Sequence, residues 1–394
     1  MMPTTRTRGL RAPGLDWVLM VAVLGLLVIG TLVVWSTTAS RENLTGGDST
    51  SYLRKQMVNV AIGAVLMVLV MACDHRWVRI LAPAVYLASV VGLVLVLVMG
   101  TETNGSKSWI RILGMSIQPS EFAKLAVVIG IALLVAERTE GNWRRPVGSS
   151  DVLAILLIAA VPAALIMLQP DLGTMLVLSA TVFGALAISG ASRRWLGGLV
   201  VGAVAAATVA VTAGVLKPYQ LDRFMAFTDP GLDPLGAGYN TEQARIAVGN
   251  GGLFGQGLFD GSQTQSGFVP EQHTDFIFTA VGEELGMVGA GLVIALTAAV
   301  VWRALSIAQQ TEDMFGRVAA AGIACWFGFQ AFQNIGMCLG IMPVTGVPLP
   351  FVSYGGSSVF AGMLAIGLLQ NIHLRSSTAL PTRFLSASRT LVTR

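Results

Sequence analysis

The chain has 394 residues and a formal net charge of +4, with 54% hydrophobic residues, 12% charged residues and a mean hydropathy of +0.71. Soluble domains contain about 25% charged residues, so this composition excludes a water-soluble globular protein. The arginines are spread over many connections, and the small positive charge does not indicate a nucleic-acid-binding surface.

Ten apolar stretches predict transmembrane helices, because about 17 to 25 apolar residues cross the hydrocarbon core of a bilayer. In chain order they lie at 17–36, 57–73, 77–99, 120–136, 152–168, 172–190, 195–216, 275–305, 316–342 and 350–373. The first is longer than the apolar region of a signal peptide, and no clear small-residue cleavage site follows it. The predicted fold class is therefore an all-α membrane protein with about ten transmembrane helices.

The basic residues predict how these helices are oriented. An even number of spans places both termini on one side of the membrane. With the termini inside, sixteen of the 25 Lys and Arg residues fall in cytoplasmic segments, eight fall in outer loops, and Lys124 lies within a span. The positive-inside rule then predicts cytoplasmic termini. The expected division is a cytoplasmic tail at 1–14, a membrane domain at 15–375 and a cytoplasmic tail at 376–394.

A polar cluster lies between the third and fourth spans, on the predicted outer side. Pro119 and Ser120 are start signals for the fourth helix, which places Glu121 and Lys124 on one helix face. Such a pair could be purely structural, since in water it is worth only about a few tenths of a kcal/mol. Near lipid such a pair is costly unless it lines a polar cavity. Lys124 and Arg111 together could hold a phosphate-bearing headgroup.

The connection between the seventh and eighth helices, about 217–274, is long, polar and rich in glycine. Loops of this length are usually functional or disordered. Its glycines, aromatic residues and alternating apolar residues argue against plain disorder. We expect a folded lid or a re-entrant structure at the outer membrane surface, and a solvated connector is the alternative.

This loop ends in an acidic turn directly before an apolar helix. Pro270 sets the entry, and Thr274 or Asp275 would serve as the N-cap, which is worth about 1 kcal/mol. Capping alone could explain Asp275, but several ionisable residues lie in the turn and early in the helix. They are Glu271, His273, Asp275, Glu283 and Glu284. Ionisable groups at membrane depth are costly and usually face a functional cavity.

A third outer segment, 343–358, carries no charge and is dense in proline and glycine. These residues break helices, and unpaired backbone at membrane depth must line a cavity or be buried in protein. The hydroxyl groups of Ser353 and Ser357 could bind sugars or a pyrophosphate. Equally, they could cap the last helix.

Four stretches together resemble the SEDS family, named for shape, elongation, division and sporulation. They are QPSEFAKL at 118–125, GYNTEQARIAVGNGGLFGQG at 238–257, VPEQHTDFIFTAVGEELG at 269–286 and PVTGVPLPFVSYGGSS at 343–358. The resemblance covers about 15–375. Shorter motifs such as PVTG at 343–346 are more similar to members that act in rod-shape elongation than to those that act in division.

The resemblance implies a peptidoglycan glycosyltransferase that polymerises lipid II, releases undecaprenyl diphosphate and works with a class B penicillin-binding protein. It places the protein in the bacterial cytoplasmic membrane, with the site facing outward. It implies that Asp275 is the essential acidic residue, that Glu121 and Lys124 form a functional pair and that Arg111 is a required basic residue. The further substrate-binding residues that we expect are Trp109, Glu271, His273, Ser353 and Ser357.

The residue chemistry agrees with this implication. A glycosidase needs two carboxylates, one of which protonates a poor leaving group. A diphosphate leaves readily, so one base, Asp275, would suffice, with Arg111 and Lys124 as cations for the departing diphosphate. No organic cofactor is expected, and a divalent cation, Mg²⁺ or Mn²⁺, could supplement the side chains. The alternatives are a lipid II flippase and a membrane scaffold for a penicillin-binding protein; polar residues concentrated at the outer face favour the enzyme.

Overall fold

A computed structural model describes residues 14–103, 106–112, 115–139, 147–214 and 236–376. The helices are, in chain order, α1 Trp17–Ala39, α2 Glu42–Thr45, α3 Ser51–Ala72, α4 His75–Met99, α5 Pro119–Thr139, α6 Ser149–Leu168, α7 Leu172–Ile188, α8 Arg193–Thr212, α9 Ala237–Asn250, α10 Ser262–Ser266, α11 Ile277–Gln310, α12 Met314–Cys338 and α13 Gly356–Ser376. Nearly all of both predicted tails, and the part of the predicted outer loop up to residue 235, lie outside the described residues.

Each of the ten predicted spans is a helix, and the largest differences are at the starts of α3 and α13. Within the described residues, eight helices are long and apolar enough to cross a membrane. Of the other two, α7 is apolar but has 17 residues. Helix α12 has 25 residues but carries the amides of Gln330, Gln333 and Asn334, which lower its hydropathy. The predicted all-α, multi-pass membrane fold is confirmed.

Helices α5 and α12 form the centre of the bundle. Helix α5 contacts α4, α6, α7 and α12, and α12 also contacts α7 and α11. Small residues allow the close approach: a Cβ atom on Gly322 of α12 would lie 3.0 Å from Cγ1 of Val128 on α5. By contrast, α8 has no buried residue within the described part of the chain. Polar side chains on α5 and α12 therefore lie inside the bundle and not on its rim.

Polar side chains connect the helices at the end of the bundle where α1 begins. Asp16 caps α1 by accepting a hydrogen bond from Leu19 N, and its Oδ2 lies 2.7 Å from Nε of Arg303. Gln370 exchanges two hydrogen bonds with the backbone of Asp16. Asn371 donates to three carbonyl oxygens at the end of α3. These contacts satisfy helix ends that would otherwise leave backbone groups without partners.

Helix α11 is broken at Gly286, whose φ is 67° and ψ is −167°. The glycine-rich segment 249–257 lies against the break, and its backbone exchanges four hydrogen bonds of 2.9 to 3.1 Å with residues 283–288. A Cβ on Gly286 would lie 2.2 Å from Gly255 N, and one on Gly255 would lie 2.1 Å from Glu284 O. Only glycine fits at either position. The expectation of a folded structure is thus confirmed for 236–276, the segment called the lid below, and a solvated connector is wrong for this part.

Residues that the sequence analysis treated as a loop form a small antiparallel sheet between α4 and α5. Its strands are β1 Thr101–Thr103, β2 Ser106–Ile112 and β3 Met115–Ile117, in the order β1-β2-β3. In the register of β2 with β3, Arg111 is opposite Ser116 and Ile110 is opposite Ile117. Two of the strands have only three residues, too few for the alternation of polar and apolar residues to indicate a strand.

Candidate functional site

The ion pair predicted on α5 is present, and the bundle encloses it. Lys124 Nζ lies 2.7 Å from Glu121 Oε1, and the two side chains are 0% and 2% exposed. Lys124 Nζ also lies 5.0 Å from the centre of the Trp326 ring. The second oxygen of Glu121, Oε2, is buried and has no hydrogen-bond partner among the described residues. This pair therefore lies in a weakly solvated environment, where charges interact far more strongly than at a surface.

Gln330 on α12 connects this pair to the 343–358 loop. Its Oε1 accepts hydrogen bonds from Lys124 Nζ at 2.8 Å and from Trp326 Nε1 at 2.7 Å. Its Nε2 donates to the carbonyl oxygen of Pro348 at 2.8 Å. A single amide thus uses both its ends to hold a charged group of α5 and the backbone of the 343–358 loop.

Asn334, one helical turn further along α12, connects the same loop to the acidic turn. Its Nδ2 donates to the carbonyl oxygens of Asp275 and Val347, each at 2.7 Å. The sequence analysis did not identify Gln330 or Asn334. Their amide side chains within an apolar span were a usable signal, because such amides usually have a partner on a neighbouring segment.

Asp275 is half-buried in a turn that closes before α11 begins. Its N–H donates to Glu271 O at 3.0 Å, and a Cβ on Gly346 would lie 3.2 Å from its Oδ2. The predicted N-cap is wrong: Phe276 occupies the cap position, with no side-chain cap. Capping of α11 therefore does not account for Asp275, whose carboxylate lies against the 343–358 loop.

The 343–358 loop is held by its own polar groups and by its neighbours. Ser353 Oγ accepts a hydrogen bond from Leu349 N at 2.8 Å, and the residue is 2% exposed. Thr345 Oγ1 accepts a hydrogen bond from Gln333 Nε2 at 2.7 Å. A Cβ on Gly173, at the start of α7, would lie 2.5 Å from Thr345 O. In this structure the Ser353 hydroxyl stabilises the loop.

Ser357 connects the start of α13 to the sheet. Its Oγ accepts a hydrogen bond from Gln118 N at 2.8 Å and donates to Ser116 O at 3.4 Å. Ser116 is opposite Arg111 in the sheet. Arg111 is exposed and Trp109 is half-buried. The sheet that carries Trp109 and Arg111 on β2 is thus attached, through Ser116 of β3, to the same loop that Gln330 and Asn334 hold.

His273 and Glu271 lie in the acidic turn but in different environments. His273 is 7% exposed, and its ring centre lies 5.2 Å from that of Tyr52. Burial, and then the positive charge of Arg41, lower the pKa of His273 from 6.5 to about 4, so its imidazole is neutral at neutral pH. Glu271 is exposed and has a φ of 45°.

The two glutamates further along α11 have contacts of their own, with α10 and with α1. The carboxylate of Glu283 accepts hydrogen bonds from Gln263 N, Thr264 N and Thr264 Oγ1 at 2.7 to 2.9 Å. Glu284 accepts one from Ser36 Oγ on α1. Both are buried, and both connect α11 to other segments. Within the acidic cluster of the sequence, Glu283 and Glu284 therefore hold α11 to α10 and α1, whereas Glu271, His273 and Asp275 lie in the turn before α11.

In the described part of the chain, no group of three or more His, Cys, Asp or Glu side chains is placed to hold a metal ion. The arrangement instead combines a half-buried carboxylate, an enclosed ion pair and an exposed arginine on segments that contact one loop. These groups suit a reaction in which a proton is removed and an anion leaves.

Comparison with known proteins gives concordant results. The model of the FtsW, RodA and SpoVE family, described as cell cycle protein, matches residues 17–378. Peptidoglycan glycosyltransferase MrdB of Escherichia coli is 38% identical over 359 residues, which cover 91% of this chain and 93% of that protein. Stage V sporulation protein E of Bacillus subtilis is 36% identical over 366 residues, which cover 91% and 96%.

Solved structures agree with the sequence relatives. A chain from a peptidoglycan synthase complex that coordinates polymerization and crosslinking is 31% identical, with a TM-score of 0.75, and the match covers 91% of this chain and 98% of that chain. The rod shape determining protein RodA of Thermus thermophilus is 28% identical, with a TM-score of 0.67, and the match covers 91% and 97%.

Proposed function

The chain belongs to the FtsW, RodA and SpoVE family, and we propose that, as a peptidoglycan glycosyltransferase of this family, it joins the disaccharide units of lipid II into β-1,4-linked glycan strands and releases undecaprenyl diphosphate. The observation that carries the proposal is the arrangement on α12. One face of this helix holds Lys124 through Gln330 and Asp275 through Asn334. Glycosyl transfer needs a carboxylate and a cation in fixed positions, and one helix holds a residue of each kind here.

Asp275 acts as the base in this proposal. Its carboxylate accepts the proton of the acceptor hydroxyl group as the hydroxyl oxygen bonds to the anomeric carbon of the donor. The bond from that carbon to the diphosphate breaks in the same step, and the diphosphate leaves with the electron pair. A single displacement inverts the anomeric centre, which turns an α-linked donor into a β-linked product. Asp275 is half-buried, so part of this residue is open to solvent.

Cationic side chains stabilise the leaving diphosphate. Arg111 is the exposed candidate, whereas Lys124 is fully enclosed by Glu121, Gln330 and Trp326. A direct contact of Lys124 Nζ with the diphosphate requires one of these partners to move. In the arrangement described, Lys124 stabilises the diphosphate through the electrostatic field of its charge and by holding Gln330.

A divalent cation, Mg²⁺ or Mn²⁺, would reach this site with the diphosphate. Mg²⁺ is usually held by one or two carboxylates together with substrate phosphates, not by a cage of protein ligands. That mode fits a site whose described residues provide no group of three ligands. Chelation with EDTA is then expected to slow polymerisation while the thermal stability of the substrate-free protein is unchanged.

The proposed setting is the bacterial cytoplasmic membrane, with cytoplasmic termini and an outward-facing site. The excess of Lys and Arg in the inner segments supports this orientation. A class B penicillin-binding protein is the proposed partner, because one similar chain was solved in a complex that couples polymerization to crosslinking. Similarity to MrdB and RodA supports a role in elongation and cell shape.

Polymerisation of purified lipid II by the protein with its partner tests the role of Asp275. We expect Asp275→Ala and Asp275→Asn each to abolish strand synthesis, because neither side chain accepts a proton. Asp260→Asn is the matched control, since Asp260 is an exposed aspartate of the same outer segment. Wild-type synthesis by Asp275→Asn would show that this carboxylate is not the base.

The same assay separates the enzyme from the two alternatives. In detergent there are no two sides of a membrane to cross, so a flippase makes no product there. A scaffold makes no glycan unless its partner polymerises. New glycan polymer that depends on Asp275, with a partner lacking polymerase activity of its own, supports the transferase.

A further inference from the structure

Three aromatic rings from three segments pack together beside the turn at 271–275. They belong to Tyr52, the second residue of α3, to His273 in the turn and to Tyr354 in the 343–358 loop. The ring centre of Tyr52 lies 5.2 Å from that of His273 and 4.9 Å from that of Tyr354, and the other two ring centres are 5.8 Å apart. Tyr354 N–H also donates to His273 O at 2.9 Å. We call these three residues the aromatic cluster.

The two tyrosines form the open part of the aromatic cluster. His273 is 7% exposed, whereas Tyr52 and Tyr354 are half-buried. Among the described residues, neither tyrosine hydroxyl has a hydrogen-bond partner, and both oxygens reach solvent. A buried Tyr hydroxyl usually finds a partner in the protein. These two hydroxyls and the open parts of their rings can therefore contact a ligand without breaking a protein contact.

Anchoring at the membrane surface is the structural alternative for tyrosines at the outer ends of helices. An anchor places a single ring among the lipid headgroups. Here the rings of Tyr52 and Tyr354 contact each other and a buried histidine. Asp275 follows that histidine by two residues, so the Cα atoms of His273 and Asp275 are no more than about 7 Å apart. Anchoring does not account for a cluster that joins three segments next to the proposed base.

The charges around the aromatic cluster favour an uncharged ligand. Exposed Lys55 has its Nζ 5.0 Å from the centre of the Tyr52 ring, and the charge of Arg41 acts on neutral His273. Glu271 acts on Tyr52, and Asp275 lies in the same turn, so two carboxylates balance the two cations. Aromatic side chains with a few polar groups are typical of sites for small organic ligands. The negative face of each ring attracts the weakly positive C–H groups of a sugar.

The proposed reaction indicates which sugar lies here. In a single displacement, the attacking hydroxyl and the leaving diphosphate are on opposite sides of the anomeric carbon. The candidate cations for the diphosphate are Arg111 on β2 and Lys124 on α5. Helix α5 packs mainly against α4, α6, α7 and α12, whereas α3, which carries Tyr52, packs mainly against α13 and α1. The cations and the aromatic cluster therefore lie on different segments, which suits a donor diphosphate and an acceptor held apart.

We propose that the aromatic cluster binds a sugar ring of the acceptor, with the rings of Tyr52 and Tyr354 against its C–H groups and their hydroxyls bonded to its polar groups. The proposal rests on the proposed function and separates the acceptor site from the donor site. Asp275 then receives the proton of the hydroxyl that this sugar presents. Loss of one aromatic ring is expected to weaken binding by about threefold to tenfold.

The first test measures binding of the acceptor alone to the purified complex with its partner. The probe is the disaccharide unit of lipid II as its methyl glycoside, which has hydroxyl groups but no diphosphate and so acts only as an acceptor. Saturation-transfer NMR irradiates the aromatic protons of the protein and detects the sugar protons. We expect transfer in wild type and at least about threefold less in Tyr354→Leu. Tyr354→Phe keeps the ring and should retain most of the transfer.

Tyr52→Leu keeps the test decisive if Tyr354→Leu fails to fold, because Tyr52 lies on a different segment. Each folded Leu variant should raise the KM of lipid II by about threefold to tenfold, with little change in kcat. Tyr52→Phe should stay closer to wild type than Tyr52→Leu. Phe254→Leu is the matched control, since Phe254 is a 77% exposed aromatic residue of the lid outside the aromatic cluster. It is expected to keep the wild-type KM and saturation transfer.

The outcomes separate this proposal from its alternatives. Wild-type KM and saturation transfer in the folded Leu variants would overturn it. A lower kcat with unchanged KM and saturation transfer would also overturn it, because a purely structural cluster behaves in this way. If these variants instead lost inhibition by pyrophosphate and kept their contact with the disaccharide, the cluster would bind the leaving group. No polymer from wild type, despite saturation transfer to the disaccharide, would contradict the proposed function alone.

Discussion

Replacing Lys124 with methionine removes one partner of an ion pair that the bundle encloses. Glu121 Oε1 then loses its donor at 2.7 Å, and Oε2 has no partner among the described residues. Methionine fills nearly the same volume as lysine, so little cavity cost is added. Breaking a buried pair in this way costs about 3 to 5 kcal/mol. We therefore expect Lys124→Met to unfold at a clearly lower temperature in detergent.

The double variant Glu121→Gln with Lys124→Met separates this stability effect from function. It removes both charges, and replacing both partners of a buried pair is often close to neutral. We expect it to recover most of the lost stability yet to polymerise lipid II at least about tenfold more slowly, since a tenfold loss corresponds to about 1.4 kcal/mol of transition-state stabilisation. Thermal unfolding and polymerisation are measured on the same detergent preparation.

Two results would refute this reasoning. If Lys124→Met were as stable as wild type, Glu121 would not be a desolvated charge that depends on Lys124. If the double variant were stable and fully active, the pair would be purely structural, and the diphosphate would depend on other cations such as Arg111. The single variant Glu121→Gln tests the role of Lys124 separately from that of Glu121, because Lys124 keeps its hydrogen bond to the acceptor oxygen of Gln330.

Three further predictions follow from the contacts of single residues. Asn334→Leu removes the donor to Asp275 O and should lower kcat with little change in KM; an unchanged kcat in steady-state kinetics would contradict it. His273 has its pKa lowered from 6.5 to about 4, so the unfolded chain takes up a proton first as the pH falls. Stability is then lost between about pH 6.5 and 4, by up to about 3 kcal/mol, and His273→Gln should flatten this part of a melting curve measured against pH. Gly286→Ala should destabilise the lid by more than about 1 kcal/mol, because its Cβ would meet Gly255 N, whereas a Cβ on Gly291 of the same helix would meet no atom within 4 Å. Equal melting temperatures of Gly286→Ala and Gly291→Ala would contradict this prediction.

The helices were predictable because each depends on a local run of apolar residues. The folding of 249–257 was also predictable from its glycines, but its partner was not. The segment binds the backbone of α11 some thirty residues further along the chain, and backbone hydrogen bonds leave no trace in side-chain patterns. The N-cap at Asp275 failed for a related reason: the turn closes on Glu271 O, and α11 begins only at Ile277.

In the candidate site too, the sequence predicted neighbours on one helix but not contacts between distant segments. Spacing placed Glu121 and Lys124 on one face, and the structure pairs them at 2.7 Å. The contact of Lys124 with Gln330 could not be predicted from the sequence, because these two residues are 206 positions apart. For Ser353 and Ser357 the sequence offered substrate binding or capping of the last helix, but their hydroxyl groups accept hydrogen bonds from Leu349 N and Gln118 N, which are not in that helix.

The amides of α12 also explain how a proline-rich loop is held in this position. Prolines cannot donate backbone hydrogen bonds, so the loop needs donors from elsewhere for its carbonyl groups. Gln330 supplies one to Pro348 O, and Asn334 supplies one to Val347 O. The same two amides hold Lys124 and the backbone of Asp275. Displacement of this loop by a substrate would therefore shift both groups together, which makes the loop the element through which substrate binding can align base and cation.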